Sequence, residues 1–514
     1  MTHPQRSNRD NAELVEAVLA QLSQPVVESA TQAEQTGFAA LAAQRQIREH
    51  AAAARSIEDS EGSEDDLSSI LSALTALTRL CDLKFVTFSY SSIPPVWRAV
   101  YIDAQLIKAC CALKDHVGTH SEHAALLKRR VRDLDLALIT AGAASTSRAK
   151  HCYDLILALQ AKLLEMEPYD SSQPSQRSED HVPPQKRIKT AQRQATRPQP
   201  SPSTQADSLI REFAFEEAPS FTDLAEQNAS VCLGPFIVRK YAQNIGWSAL
   251  KTGTDESVPG SWSSMEYLLQ VAGPARIVPV EVGANYTRKE WGQDIMLWSD
   301  FLRHCRWDES DELDNDGADH SDEELRSDPL LLYMAQHDLS SQFPRLEQDY
   351  TLPDYVYTSP PAPKDWPDYE PPSTAAAVVT NLWIGPAGTV SPPHFDPYYN
   401  CFVQAVGFKE VWVAPPQCRP CQTTISVDHP TPANHQAHAA AIGEFSQTAV
   451  SIAGSLMTNT ASVDVFDTLH RAPQHVRSAA SKAVLGPGDL LYMPPGWWHS
   501  LRSLARSFSV SIWF

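Results

Sequence analysis

The clearest structural signal in the chain lies near its end, in the stretch Ser507-Phe508-Ser509-Val510-Ser511-Ile512-Trp513. Serine alternates there with a large apolar residue, and this period of two places Phe508, Val510 and Ile512 on one face of a β-strand. The pattern predicts a strand whose apolar face packs on a core.

Similar runs occur upstream of this stretch. Residues 402–406 (Phe-Val-Gln-Ala-Val) and 409–413 (Lys-Glu-Val-Trp-Val) are strand-like and flank Gly407-Phe408, a pattern that predicts a β-hairpin. Ile277-Val278-Pro279-Val280-Glu281-Val282 is a third strand-like run. Several short antiparallel strands in one region indicate a double-sheet barrel of the jelly-roll or cupin kind.

A metal-binding pattern lies between these strands. His394-Phe395-Asp396 places an imidazole and a carboxylate on the same side of an extended segment, because residues i and i+2 point the same way. His499 follows Tyr492-Met493-Pro494-Pro495-Gly496, a predicted strand and tight turn. Two histidines and one carboxylate leave three adjacent positions open on Fe(II), which suits a bidentate cosubstrate and dioxygen.

Two other interpretations of these residues stay open at this point. A His-x-Asp pair alone is also compatible with ordinary polar side chains at the end of a strand. The same three ligands occur in zinc hydrolases, although the sequence offers no obvious general base for hydrolysis.

Bulk properties limit the classes of protein to which the chain can belong. At 514 residues it is too long for one hydrophobic core, and two folded units plus linkers are expected. A net charge of −20 disfavours a protein that covers nucleic acid or an anionic membrane with its whole length, because its net field repels phosphate. Nine cysteines are too few for a disulfide scaffold, no long apolar run predicts a membrane span, and the start has no apolar signal core. These features favour an intracellular protein.

Composition divides the chain into three parts. Residues 1–165 carry apolar residues at helical spacing and predict an all-helical domain of unknown role. Residues 166–207 are rich in Pro, Ser and Arg and predict a disordered linker. Within it, 183–189 resembles a nuclear-import signal, and a solvated basic linker is an equal alternative.

Residues 208–514 predict a second domain with a β-rich core and flanking helices, which makes the chain α+β. Three stretches interrupt its strand pattern and are predicted to be insertions: an acidic run at 308–328, a Pro-rich run at 359–375 and an Ala/His/Thr-rich run at 425–480.

The ordered motifs of this second domain resemble those of a known family, the JmjC oxygenases. Within that family they are most similar to the branch that contains JmjC domain-containing protein 5, or lysine demethylase 8. The resemblance covers roughly 215–514 and is carried by the segments Val278–Gly283, Tyr333–His337, Asn381–Pro386, Gly388–Pro397 and Phe508–Trp513. It implies a double-stranded β-helix, the cupin or jelly-roll barrel, as the catalytic domain.

The resemblance also implies roles for individual residues. The iron ligands of the family fall on His394, Asp396 and His499. Its 2-oxoglutarate contacts fall on a second group, Tyr333, Ser391, Asn400 and Lys409, with Trp383 packed against the cosubstrate pocket. The pocket for a basic substrate side chain falls on a third group, Glu281, Tyr286 and Trp291.

By the same resemblance the chain is expected to be a dioxygenase that uses Fe(II), 2-oxoglutarate and O2. The substrate implied is a protein or peptide with a basic side chain, histones and chromatin-associated proteins included. Arginine hydroxylation is favoured, because a carboxylate beside an aromatic face selects a guanidinium. Demethylation of N-methyl-lysine in histones and a non-catalytic interaction module are the alternatives. Either the nucleus or the cytoplasm is compatible with these expectations.

Overall fold

The computed structural model of the protein describes residues 8–24, 38–57, 63–88, 92–114, 119–142, 146–166, 210–226, 234–251, 261–283, 291–309, 331–364, 366–418, 459–461, 464–466 and 474–514. Contacts within the chain divide it into two compact units. One comprises Met1–Gln194 with Gly273–Ile277, and the other Ala195–Ala272 with Val278–Phe514.

The first unit is helical, as the apolar spacing predicts. Its helices are α1 (Asn8–Ser23), α2 (Phe38–Ser56), α3 (Ser63–Thr87), α4 (Pro95–Lys114), α5 (His120–Ala141) and α6 (Thr146–Met166). Side chains four residues apart, such as Val18 with Leu22 and Leu155 with Leu159, are buried in one shared core. No helix in the described part of the chain is long and apolar enough to cross a membrane.

The second unit is built on two β-sheets. Its strands are β1 (Arg211–Phe213), β2 (Phe236–Val238), β3 (Ile277–Val282), β4 (Gly292–Leu297), β5 (Leu332–His337), β6 (Val379–Gly385), β7 (Val390–His394), β8 (Asn400–Val406), β9 (Lys409–Ala414), β10 (Ser481–Leu485), β11 (Leu490–Met493), β12 (Trp498–Ser503) and β13 (Ser507–Trp513). The larger sheet has the order β1-β2-β11-β8-β13-β6-β5-β3-β4, and the smaller sheet has the order β10-β9-β12-β7.

Successive strands from β6 to β13 alternate between the two sheets, except that β9 and β10 are neighbours in the smaller sheet, and the pairings among these strands are antiparallel. This winding is the double-stranded β-helix, so the predicted fold class is confirmed. Short helices flank the sheets: α7 (Phe221–Ala225), α8 (Tyr241–Asn244), α9 (Met265–Ala272), α10 (Trp298–His304), α11 (Leu339–Gln342) and α12 (Gln474–Ala479).

The alternating stretch at the end of the chain forms β13, as predicted. Phe508, Val510 and Ile512 pack in the main core of this unit, where Phe508 stacks on Trp262 with ring centroids 4.2 Å apart. The intervening serines are buried as well: Ser509 and Ser511 are 0% and 1% exposed. Both faces of this central strand are therefore buried, and its polar face points into the barrel.

The predicted hairpin around Gly407 is wrong. β8 and β9 do follow each other with a two-residue turn, but β8 pairs with β11 and β13, whereas β9 pairs with β10 and β12. Every residue of both strands is buried. Because buried, largely apolar side chains lie on both faces, the sequence has no regular alternation to indicate that the turn carries the chain from one sheet to the other.

Much of the remaining domain prediction falls outside the described residues. That holds for almost all of the predicted linker, for 310–328 of the acidic insertion and for most of the insertion at 425–480. The Pro-rich stretch at 359–375 is described except for residue 365. The domain boundaries and insertions stay predictions.

The turn at Gly407 gives a stability prediction. Its φ is +72°, and an added Cβ would lie 2.0 Å from the carbonyl oxygen of Arg506. Gly407→Ala should therefore cost about 1–2 kcal/mol for the left-handed backbone and at least about 1 kcal/mol more for the clash. Thermal unfolding followed by circular dichroism measures the loss.

Gly388→Ala is the matched control, because Gly388 has a φ of +88° but no atom within 4 Å of an added Cβ. It should show the backbone penalty alone. Equal losses in the two variants would contradict the role assigned to close packing at Gly407.

Candidate metal centre

Three candidate ligands meet where the smaller sheet ends. His394 is the last residue of β7, Asp396 follows it, and His499 is the second residue of β12. The pairing of β7 with β12 sets His394 directly opposite His499, with ring centroids 4.2 Å apart. One potential ligand atom from each of the three residues lies within 4.8 Å of the other two.

Backbone carbonyls orient both imidazoles. Nδ1 of His394 lies 2.7 Å from the carbonyl oxygen of Pro392, and Nδ1 of His499 lies 3.1 Å from that of Trp497. A carbonyl only accepts hydrogen bonds, so each Nδ1 carries the proton and donates it. Each Nε2 therefore keeps its lone pair, as a metal ligand requires.

The local electrostatics favour the same neutral form. Burial, and next the neighbouring His394, lower the pKa of His499 to about 4, while Asp396 opposes the shift. Nε2 of His499 lies 3.5 Å from Oδ2 of Asp396. Two neutral imidazoles and one carboxylate grouped on one side of a point form the donor set of a facial Fe(II) site, so the residues present fit that metal.

The candidate ligands open into a small cavity between the two sheets. All five predicted cosubstrate residues line it together with the triad. The lining comprises Tyr333, Trp383, Ser391, His394, Asp396, Asn400, Phe402, Lys409, Met493, His499, Leu501 and Ser511.

Lys409 is the cation of this cavity. It is 1% exposed, and its Nζ donates a hydrogen bond of 2.9 Å to the hydroxyl oxygen of Tyr333. Its ammonium also lies 5.2 Å and 5.6 Å from the ring centroids of Tyr333 and Phe402. Among the described residues no carboxylate forms an ion pair with it, and burial lowers its pKa to about 7.

The other predicted cosubstrate residues supply hydrogen-bonding groups. Oδ1 of Asn400 accepts from the hydroxyl of Ser511 at 3.0 Å, and this bond orients the side-chain amide. Ser391 is 4% exposed on β7. The indole N–H of Trp383 is buried and has no hydrogen-bond partner among the described residues. The ring of Trp383 lies 5.9 Å from that of Tyr333.

Two of the predicted substrate residues, Glu281 and Trp291, lie beside this cavity rather than in its lining. Glu281 pairs with Tyr333 across β3 and β5, so the two side chains project from the same face of the sheet. Nε1 of Trp291 donates to Oε2 of Glu281 at 3.1 Å. Burial raises the pKa of Glu281 to about 7, and the Trp291 hydrogen bond opposes the shift. Tyr286 lies outside the described residues.

Four cavity-lining residues were not predicted from the sequence: Phe402, Met493, Leu501 and Ser511. Phe402, Leu501 and Ser511 carried a usable signal, because each lies two residues from another inward position of its strand, Asn400, His499 and Ser509 respectively. For Met493, which looks like an ordinary core residue, no such signal exists.

Comparisons with known proteins agree with this geometry. The cupin-like domain family matches residues 224–514. Jumonji C domain-containing protein 5 of Drosophila melanogaster is 34% identical over 254 residues, which cover 49% of this chain and 50% of that protein. Lysine-specific demethylase 8 of Xenopus tropicalis is 31% identical over 252 residues, which cover 49% and 44%. The bifunctional peptidase and (3S)-lysyl hydroxylase of Homo sapiens is 25% identical over 189 residues, which cover 36% and 54%.

This chain spans about half the length of the curated relatives that it matches. The family match covers more than half of the chain and includes all three candidate metal ligands. By its fold and its sequence, the chain belongs to the cupin-like JmjC family.

Proposed function

We propose that this chain is an Fe(II)- and 2-oxoglutarate-dependent oxygenase that hydroxylates an arginine side chain of a protein substrate. His394, Asp396 and His499 would hold the iron. When bound, iron and 2-oxoglutarate supply the activation of O2 that transfers oxygen to a substrate C–H bond.

The observation that carries the proposal is the buried Lys409 ammonium in the same cavity as the triad. A buried cation without a carboxylate partner is costly, and a bound anion removes that cost. The distal carboxylate of 2-oxoglutarate is such an anion, and the Tyr333 hydroxyl stands beside Lys409 as a second donor. Neither a plain structural metal site nor a zinc hydrolase requires this cation.

The remaining walls orient the cosubstrate and exclude water. The Asn400 amide, oriented by Ser511, and the indole N–H of Trp383, which has no partner among the described residues, are donors available to the cosubstrate. Phe402, Met493 and Leu501 add apolar surface around them. Because apolar walls exclude water, they strengthen each polar contact within the cavity and limit side reactions.

Arginine is proposed as the target because of the pair formed by Glu281 and Trp291. The Glu281 carboxylate has no cationic partner among the described residues, and its single recorded hydrogen bond leaves Oε1 available. A guanidinium can donate to a carboxylate while lying over an indole ring. The target would reach the metal centre past Tyr333, the strand neighbour of Glu281.

The relatives differ in what their names state, since one is a lysine-specific demethylase and another a lysyl hydroxylase. Each of these possibilities has a protein as its substrate, and histones are among the proposed substrates. Both the nucleus and the cytoplasm are proposed as locations of this chain. Demethylation of N-methyl-lysine is kept as an outcome of the test below.

The test uses the full chain loaded anaerobically with Fe(II) and then exposed to O2 and 2-oxoglutarate. We expect succinate formation to rise when an arginine peptide is added, and the peptide to gain the mass of one oxygen atom. His394→Ala should lower turnover more than about a hundredfold, because loss of even an outer-shell partner costs about 10–100-fold in metal affinity or activity.

Peptides of the same sequence with lysine or N-methyl-lysine in place of arginine discriminate among substrates. Formaldehyde from the methylated peptide, without oxidation of the arginine peptide, would replace the hydroxylase proposal by demethylation. If the wild type shows neither metal binding nor succinate formation, the non-catalytic interaction module is the better description.

Lys409→Met tests the proposed role of the buried cation. Because methionine keeps the apolar stem and removes an uncompensated charge, the melting temperature should stay equal or rise. The affinity for 2-oxoglutarate should fall about tenfold or more, because hydrogen bonds to charged groups contribute about 1.5–3 kcal/mol. Titration calorimetry with a redox-inert divalent metal and a thermal melt measure the two quantities.

Lys482→Met is the matched control, because Lys482 is also buried in the smaller sheet but lies 3.9 Å from the Glu410 carboxylate. There the same substitution should lower the melting temperature and leave 2-oxoglutarate affinity unchanged. Equal cosubstrate affinity in the wild type and in Lys409→Met would overturn the assignment of Lys409.

Glu281→Gln tests the substrate pocket. The KM for an arginine peptide should rise roughly tenfold or more, because an amide lacks the charge that pairs with a guanidinium. In the wild type, Glu281 becomes ionised as pH rises through about 7, so peptide affinity should increase over that interval and then level off. Glu281→Gln should lose this dependence. Steady-state kinetics between acidic and mildly basic pH measure both effects.

The control is Glu266→Gln, the same substitution at an exposed position of α9. It should keep the wild-type KM and pH profile. A pH profile that is unchanged in Glu281→Gln would show that another group binds the substrate cation.

A further inference from the structure

The Pro-rich stretch packs against the candidate metal centre through aromatic side chains. The hydroxyl of Tyr399 donates to the carbonyl oxygen of Pro361 at 2.8 Å, and the hydroxyl of Tyr369 donates to that of Phe514 at 2.9 Å. The rings of Tyr369 and Tyr399 meet edge to face, 5.0 Å apart. Trp366 lies between these two anchors in the sequence.

Trp366 contacts both segments that carry the candidate ligands. Its ring meets Phe395 edge to face, with centroids 5.4 Å apart, and Phe395 lies between His394 and Asp396 in the chain. On the other segment, a Cβ added to Gly496 would lie 2.6 Å from Cε3 of Trp366. The indole therefore rests directly on the Gly496 backbone.

The two contacted segments are also joined to each other. The backbone N–H of Gly496 donates to the carbonyl oxygen of Asp396 at 2.9 Å. Phe395 meets Trp498 edge to face at 5.0 Å, and Trp498 directly precedes His499. Trp366 thus covers one hydrogen bond and one ring pair that join the two ligand-bearing segments just beyond the pairing of β7 with β12.

We propose that Trp366 is a positioning residue that holds the His394–Asp396 segment and the His499 segment at the separation the metal requires. This inference rests on the proposed function, because it assumes a metal bound by the triad. Ligand sets work only when held to within about 0.5 Å, and one aromatic pair contributes about 0.5–1.5 kcal/mol. The free energy of this contact is therefore large enough to affect metal affinity and too small to determine whether the domain folds.

The test measures metal binding directly, with Co(II) as an oxygen-stable probe whose visible spectrum reports coordination geometry. Trp366→Ala should bind Co(II) about tenfold more weakly than the wild type and give an altered spectrum. Trp366→Phe keeps a ring against Phe395 and Gly496, so it should recover most of the affinity. Both variants should keep the wild-type far-ultraviolet circular dichroism.

Tyr357→Ala is the control, since Tyr357 is an aromatic residue just before the same stretch but is 60% exposed. It should bind Co(II) as the wild type does. Wild-type affinity and spectrum in Trp366→Ala would overturn the positioning role while leaving the oxygenase proposal standing.

Gly496→Ala is a second variant that probes the Trp366 contact from its other side. It should also weaken Co(II) binding, and less so when Trp366 is alanine, because the clash with the indole is then absent. Additive effects of the two substitutions would contradict the inference. By contrast, a wild type that binds no Co(II), with His394→Ala indistinguishable from it, would refute the metal site itself.

Discussion

The pairing of His394 with His499 across β7 and β12 is the constraint on which the site depends. Successive side chains of a strand point to opposite faces, so a slip of one residue would turn one imidazole away from the other. β12 is held in register on its other edge by β9, where His499 lies opposite Val413 and Ser503 opposite Lys409. One pair of strands thereby fixes both a candidate metal ligand and the cation of the cavity.

The charged side chains on the two faces of β9 differ in whether they have an ion-pair partner among the described residues. Lys409 and Glu410 are neighbours, and both are buried. The Glu410 carboxylate, on the outer face, accepts a 2.8 Å hydrogen bond from Arg502 and lies 3.9 Å from the Lys482 ammonium. The inward ammonium of Lys409 has a tyrosine hydroxyl but no described carboxylate. Since buried charges in proteins are normally paired, the lack of a carboxylate partner for Lys409 among the described residues supports the proposal that a bound anion pairs with it.

Much of the fold and of the candidate site could be predicted from the sequence, because the deciding signals are local. The alternation in β13 and the apolar run that became β3 each follow from a few neighbouring residues. His394 and Asp396 are two positions apart, which is enough to place them on one side of an extended segment. The position of His499 beside them required the family resemblance, since spacing alone does not determine strand pairing.

The features that the sequence could not predict depend on which of the two sheets each strand joins. The turn at Gly407 looks like that of a hairpin, yet its tight contact with the Arg506 carbonyl belongs to a crossing between sheets. The buried serines of β13 raise the same difficulty, because an alternating polar face usually indicates solvent. Here Ser509 and Ser511 donate to Gln404 and Asn400, side chains of the neighbouring strand β8. Such a face becomes recognisable only when the second sheet is known to cover it.

Lys409 and Glu281, the two ionisable groups proposed to bind the cosubstrate and the substrate, share one physical property. Burial shifts both Lys409 and Glu281 towards neutrality, with pKa values of about 7. Had they formed an ion pair, each would have stabilised the charge of the other, and the shifts would have been opposed. Tyr333 keeps them apart, since it accepts from Lys409 through its hydroxyl and pairs with Glu281 through its backbone. In the proposed enzyme, this arrangement would keep a site for the acidic cosubstrate and a site for the basic substrate side by side without letting them neutralise each other.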